Sequence, residues 1–83
     1  MKFKAEIDVM PLEALLDPQG KAVSNSMPNI GLPEISGVRI GRHIRLFIDA
    51  TTIKEAEEKT EEACKKLLSN QIMESYSFNV QEA

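Results

Sequence analysis

His43 and Cys64 are the only histidine and the only cysteine in a chain of 83 residues, and they bound the chemistry it can do alone. One histidine excludes a two-histidine metal site within the chain, and one cysteine excludes an intrachain disulfide and a cysteine-built zinc cage. Covalent catalysis needs a base beside a nucleophile, so Cys64 or a serine would have to converge on His43 from elsewhere. Cys64 lies on or beside the apolar stripe of a helix, where a small packing residue is a simpler reading than a reactive thiolate. Glu55, Glu57, Glu58, Glu61 and Glu62 are the densest carboxylates. A general acid or base must be tuned by burial or a neighbour, whereas acids strung along an amphipathic helix face water, so these read as a solvated surface.

Gly37-Val-Arg-Ile-Gly41 has two glycines at a spacing of four, but a phosphate loop needs a strand, a glycine-rich turn and a helix with its lysine in place. Both flanks here look extended, and Gly41 is read as a bend. Asp17-Pro-Gln-Gly20-Lys21 opens a helix whose free N–H groups could meet an anion; a capping carboxylate with proline at the first helical position accounts for the same residues and is favoured. Arg39, Arg42, His43 and Arg45 form the one local concentration of basic residues. They fit either charges that discourage unwanted pairing at a strand edge, or a patch that docks an acidic partner through planar, bidentate contacts, and both readings stay open. Phe47 is the one aromatic among them, too little for the base-stacking face of an RNA binder.

The elements that must position these side chains follow from periodicity. Phe3, Ala5, Ile7 and Val9 alternate with Lys4, Glu6 and Asp8, which predicts a half-buried strand ending near Met10. Pro11 withdraws a donor, and Leu12 to Leu16 form an apolar connector expected to fold back over the sheet. A helix should begin at Pro18, carry Val23, Met27 and Ile30 with Ala22 beside them, and stop at Gly31 after about three turns. Pro28 removes the bond to Ser24 at a cost of about 3 kcal/mol, so a kink or early fraying is expected there. Val38, Ile40, Ile44, Leu46, Ile48 and Ala50 share one parity. They form either a hairpin with a loop from Gly41 to His43 that pairs Ile40 with Ile44, or one long strand bent at Gly41 that could serve a neighbouring subunit. Thr52-Ile-Lys-Glu55 has the form of a capping box, and Ile53, Ala56, Thr60, Ala63, Leu67 and Leu68 continue a stripe to a helix end at Ser69-Asn70. Three Glu-to-Lys pairs, Glu55 with Lys59, Glu61 with Lys65 and Glu62 with Lys66, line its outer face in the favourable order. Tyr76, Phe78 and Val80 alternate with Ser75, Ser77 and Asn79 as a last strand.

The order β-α-β(β)-α-β predicts an α+β two-layer sandwich related to the ferredoxin-like arrangement, with two helices on an antiparallel sheet. A chain of this length has a thin core, which makes assembly with other chains a route to stability. Ten basic against thirteen acidic residues give a formal charge of −3, which opposes the phosphate field of nucleic acid. No apolar run approaches the roughly 18 residues of a membrane span, no signal-peptide stretch stands at the N-terminus, and a reducing, cytoplasmic compartment is expected.

At Leu16-Asp-Pro-Gln-Gly-Lys-Ala-Val23 and Val38-Arg-Ile-Gly-Arg42, with the Ile30-Gly31 helix end, the acid-rich helix and Leu68-x-Asn70, the chain resembles the PurS family, from about Phe3 to Val80. That family is the small subunit of the multisubunit phosphoribosylformylglycinamidine (FGAM) synthase of purine biosynthesis. The resemblance implies one PurS-like domain over residues 1–83, with no catalytic residue and no cofactor of its own. It implies a place in an ATP-dependent, glutamine-dependent ligase complex with a large synthetase subunit, PurL, and a glutaminase subunit, PurQ. That complex uses ATP, magnesium and glutamine to turn formylglycinamide ribonucleotide into the amidine, its ammonia coming from a glutaminase cysteine that is not Cys64. PurS-like chains associate as homodimers or homotetramers and join the larger subunits, which raises the effective concentration of one active site near the other and aids ammonia transfer. The resemblance makes Asp17, Gly20, Arg39, Gly41 and Arg42 candidate interface or scaffold positions. Pro28 interrupts a helix that is continuous in the family, and Arg42 stands where lysine is usual. Two rival readings remain: a regulatory domain of ACT-like architecture that binds a small molecule, and an RNA-binding module.

Overall fold

Every second residue of β1 (Lys2–Pro11) is apolar, and Phe3, Ala5, Ile7 and Val9 are all buried on one face. The computed structural model describes residues 1–15 and 17–83. β1 is the centre of a three-stranded antiparallel sheet between β2 (Arg42–Asp49) and β3 (Glu74–Glu82). Register places Ile7 beside Ile44 on one side and Phe78 on the other, so the apolar parities of all three strands share one face. α2 (Ile53–Ala63) covers that face. Its buried residues Ala56 and Thr60, followed by Cys64, are small, so the helix axis can approach the sheet closely. Thr60 satisfies its buried hydroxyl by donating to the Ala56 carbonyl at 2.8 Å. Cys64 is fully buried, and burial pushes its thiol pKa up, as a packing residue requires.

The N-terminus of α2 departs in detail from the predicted capping box. Thr52 Oγ1 accepts from Glu55 N–H at 3.2 Å, but the Glu55 carboxylate returns to the hydroxyl and N–H of Thr51, one residue before the cap. All three predicted Glu–Lys pairs form along its outer face, at 3.2, 3.5 and 2.5 Å. The helix closes through a π turn, Cys64–Leu68, in which Ser69 N–H donates to the Cys64 carbonyl. The wider turn leaves Leu68 half-buried and Leu67 83% exposed, and Ile53 in the first turn is exposed as well, so the expected stripe loses both of these residues.

Two expectations are corrected in the first half of the chain. α1 (Pro18–Ser26) does not lie on the sheet, so α2 alone forms the second layer. The molecule is accordingly long, 51 × 26 × 14 Å, with a radius of gyration of 16.4 Å against about 12 Å for a compact chain of this length. The middle hairpin is absent, because Ile44 pairs with Ile7 rather than Ile40 and β2 begins at Arg42. Residues 38–40 lie outside the sheet and run alongside α1, so the long bent strand is realised only in its second half. The disturbance expected from Pro28 is present: α1 ends at Ser26, a 3-10 turn spans Met27–Ile30, and Gly31 closes it in the left-handed region at φ 83°. Leu12 N–H donates to the Met73 carbonyl just beyond the β1–β3 ladder; Leu16, the end of the expected apolar connector, lies outside the described residues. No helix among the described residues is long and apolar enough to cross a membrane.

Candidate functional site

Asp17 stands where α1 leaves the body of the molecule. One of its carboxylate oxygens accepts from Gly20 N–H at 3.0 Å, the predicted cap, and the other accepts from Ile40 N–H at 2.9 Å. These two donors, with the Arg39 guanidinium 3.8 Å away, hold its carboxyl below the usual aspartate range. Two turns along, Ser24 Oγ accepts from Val38 N–H at 2.9 Å. Two main-chain donors two residues apart, which a strand would give to a neighbouring strand, are therefore taken by α1 side chains. Gly20 is the buried residue of the helix, and the approach depends on it: a Cβ there would lie 2.3 Å from the Val38 carbonyl oxygen.

Arg39 ties the same segment to the end of β1. Its Nη2 donates to the Leu12 carbonyl at 2.7 Å and to Pro11 at 3.4 Å, and its Nη1 to Leu15 at 3.3 Å. Its buried Nε has no hydrogen-bond partner among the described residues: the Asp17 oxygen that accepts from Ile40 lies 3.8 Å away, within ion-pair range but too far for a hydrogen bond. Gly41 lies against β1, where a Cβ would meet Met10 Sδ at 2.2 Å and the Val9 carbonyl at 2.3 Å. Asp17, Gly20 and Arg39 thus come together in one polar joint, and Gly41, two residues after Arg39, packs on β1. Arg42 does not join them. It reaches the far side of the sheet, binds Glu74 through two bonds of 2.5 and 3.0 Å and the Leu68 carbonyl at 2.6 Å, and holds the Glu74 carboxyl below the usual range.

His43 and Arg45, the rest of the basic group, face the open side of the sheet. His43 Nδ1 lies 2.7 Å from Asp8 and its Nε2 bonds Glu6, while Arg45 donates to Glu6 at 2.7 Å. The two carboxylates, Asp8 first, raise the His43 pKa, and His43 and Arg45 lower that of Glu6. Sequence reasoning did not pair these residues. Their signal was the register, which sets Asp8 opposite His43 and Glu6 opposite Arg45, and it becomes readable only once the β1–β2 pairing is known. The four basic side chains are thus engaged with acceptors inside the chain.

What α1 leaves uncovered is its apolar side. Ala22, Val23, Met27 and Ile30, with Ser26, line an open hollow of about 300 Å³, and Ile30 is 68% exposed. The stripe read from the sequence is real, but it faces away from the chain's own core. Among the described residues no group of three His, Cys, Asp or Glu side chains is placed to hold a metal ion. The arrangement joins elements and presents surfaces.

A long, thinly cored α+β chain with a built joint and an unpartnered apolar helix belongs to the class of small assembly subunits. More specifically, it belongs to the PurS family: the family model, described as phosphoribosylformylglycinamidine (FGAM) synthase, matches residues 4–82. The PurS subunit of phosphoribosylformylglycinamidine synthase from Bacillus subtilis is 34% identical over 80 residues, covering 96% of this chain and 94% of that one. The crystal structure of PurS from Methanocaldococcus jannaschii, described as one of the subunits of formylglycinamide ribonucleotide amidotransferase in the purine biosynthetic pathway, superimposes with a TM-score of 0.85 at 25% identity, over 98% of both chains. A chain in the structure of PurLQS from Thermotoga maritima matches with a TM-score of 0.89 at 27% identity, over 98% of this chain and 99% of that one.

Proposed function

We propose that this chain works as the PurS subunit of FGAM synthase in purine biosynthesis, a non-catalytic piece that holds the synthetase subunit PurL and the glutaminase subunit PurQ in one assembly. The observation that carries the reading is the full-length likeness to a chain of the PurLQS structure. The complex consumes ATP, with magnesium, and glutamine at the sites of the larger subunits, in the cytoplasm, and this chain binds none of them. Its contribution is proximity: a bridge between a glutaminase and a synthetase raises the effective concentration of one site near the other and favours ammonia transfer over loss to water.

Residues 1–83 act in this reading as one unit with two working parts. Asp17, Gly20 and Arg39 scaffold the joint that sets the direction of α1, Gly41 packs the segment after it on β1, and Arg42 clamps the end of α2 to β3. The apolar side of α1 is the face for association, with further copies of the chain or with the larger subunits. The test is reconstitution: purified synthetase and glutaminase are assayed for glutamine-dependent amidine formation with and without this chain, and the mixture is passed over a sizing column. Co-elution with a gain in glutamine-dependent turnover is expected, with ammonia-dependent turnover less affected. Unchanged turnover with no co-elution would overturn the reading.

A further inference from the structure

The stretch from Pro18 to residue 36 is an arm. Nearly all of its side chains are exposed or half-exposed, Gly20 being buried against Val38, and α1 packs chiefly on its own 3-10 turn. Polar side chains tie the arm, and the Asp17 that caps it, to residues 38–40: Asp17 accepts from Ile40 N–H, Ser24 accepts from Val38 N–H, and the charge of Arg39 lies beside Asp17. The sheet and α2 keep their own core, built from Phe3, Ala5, Ile7, Val9, Ala50, Ala56, Cys64 and Val80, and no residue of the arm contributes to it. A unit that shares no buried apolar cluster with the rest, and hangs on a few main-chain bonds to side chains, has a low local opening free energy compared with the body.

We propose that the Asp17–Arg39 joint is a latch: closed, it fixes the direction in which the arm presents its apolar side, and opened, it frees residues 18–40 while the sheet and α2 stay folded. Asp17 is the key of the latch because one carboxylate serves both helix and segment, with an oxygen for each. An asparagine keeps one carbonyl oxygen for Gly20 and puts an NH2 group where Ile40 N–H and the Arg39 charge need an acceptor. The opened arm is also a weaker helix, since nine residues alone are too short to hold a helix in water. This inference stands on the joint's geometry and not on the identity of the partners.

The experiment is native-state hydrogen exchange, read by NMR or mass spectrometry, on the intact chain and on Asp17→Asn. Amides of residues 18–40, Val38 and Ile40 among them, should exchange at least about ten-fold faster in the variant, while those of Ile7, Leu46 and Phe78 stay within about two-fold. Ser24→Ala, which removes only the Val38 tether, should give a smaller acceleration over the same residues and serves if the first variant does not fold. Acceleration shared equally by arm and sheet, or no acceleration in residues 18–40 in a folded variant, would overturn the latch. Loss of amidine formation in the reconstituted complex without such a pattern would count against it too, whereas the exchange pattern without any complex would leave the latch standing and the subunit reading fallen.

Discussion

Gly20 and Val38 approach so closely that a methyl group on the glycine would lie 2.3 Å from the Val38 carbonyl oxygen and 2.5 Å from the Asp17 carboxylate that caps the same helix. Two effects compete in Gly20→Ala. Alanine is better than glycine inside a helix by about 1 kcal/mol. The contact, however, is with main chain, which no rotamer change relieves, and overpacking of that kind costs about 1–3 kcal/mol. The contact should win, with a lower urea midpoint and faster amide exchange at Val38. A raised midpoint would show that the arm moves aside without cost.

The core and the arm should respond in opposite ways to truncation. Ile7 is fully buried between α2 and both neighbouring strands, so Ile7→Ala should cost about 2–5 kcal/mol, a large share of the roughly 4–12 kcal/mol total expected at this length. Val23 is 37% exposed on the open side of α1, and Val23→Ser should change the unfolding free energy by about 0.5 kcal/mol or less. The same substitution should weaken self-association in light scattering or co-elution with the larger subunits. Full association by Val23→Ser together with Ile30→Ser would mean that the apolar side of the arm is not the contact.

Acid and base should act on different groups. Glu55 is held at about 2 by the Thr51 hydroxyl and N–H and then by Lys59, and Asp17 and Glu6 also sit below their ordinary values. A lowered folded-state pKa gives stability that is fully present above the ordinary carboxylate value and is lost as pH falls through the folded value. Stability should therefore decline from about pH 4.5 downward. His43 has the opposite sign, because Asp8 and Glu6 raise its pKa; its contribution is complete below about 6.5 and disappears as pH rises through the raised value. Urea midpoints measured from pH 3 to 9 should fall at both ends, and His43→Asn should flatten the alkaline limb while, because His43 is the first of the groups that lower Glu6, removing only part of the acid limb and leaving the share of Glu55 and Asp17. An unchanged alkaline limb in that variant would show that the ion cluster contributes nothing to folding.

Alternation and caps made most of the fold legible. Phe3 to Val9 and Tyr76 to Val80 bury the face that their periodicity assigns, and so does the middle of the α2 stripe at Ala56 and Thr60, while Ile53 and Leu67 at its two ends are exposed. The segment through residues 38–41 was not legible, since its donors are satisfied by Ser24 and Asp17, side chains whose distance in sequence carries no periodic signal. α1 misled for a related reason. Its stripe of Ala22, Val23, Met27 and Ile30 states that something apolar covers it, and says nothing about whether that cover is the same chain. Of the five candidate positions Asp17, Gly20 and Arg39 lie in one joint, Gly41 packs on Val9 and Met10 of β1, and Arg42 reaches Glu74 instead.

Arg42 provides a last separation, between charge and geometry. Its guanidinium joins both Glu74 oxygens and the Leu68 carbonyl, and Glu74 in turn accepts from Asn70 N–H, so one side chain closes the turn between α2 and β3. The pair is partly exposed, with Arg42 48% and Glu74 20% accessible, and solvent screening limits its coupling to about 1 kcal/mol or less. Arg42→Lys keeps the charge, loses the fork and should cost no more than that, whereas Arg42→Glu sets a like charge against Glu74 and should cost more while loosening residues 68–74. A double-mutant cycle with Glu74→Gln, followed by urea unfolding, measures the term. If Arg42→Lys proves as damaging as Arg42→Glu, the bidentate geometry and the Leu68 bond, rather than the charge, hold this end of the sheet.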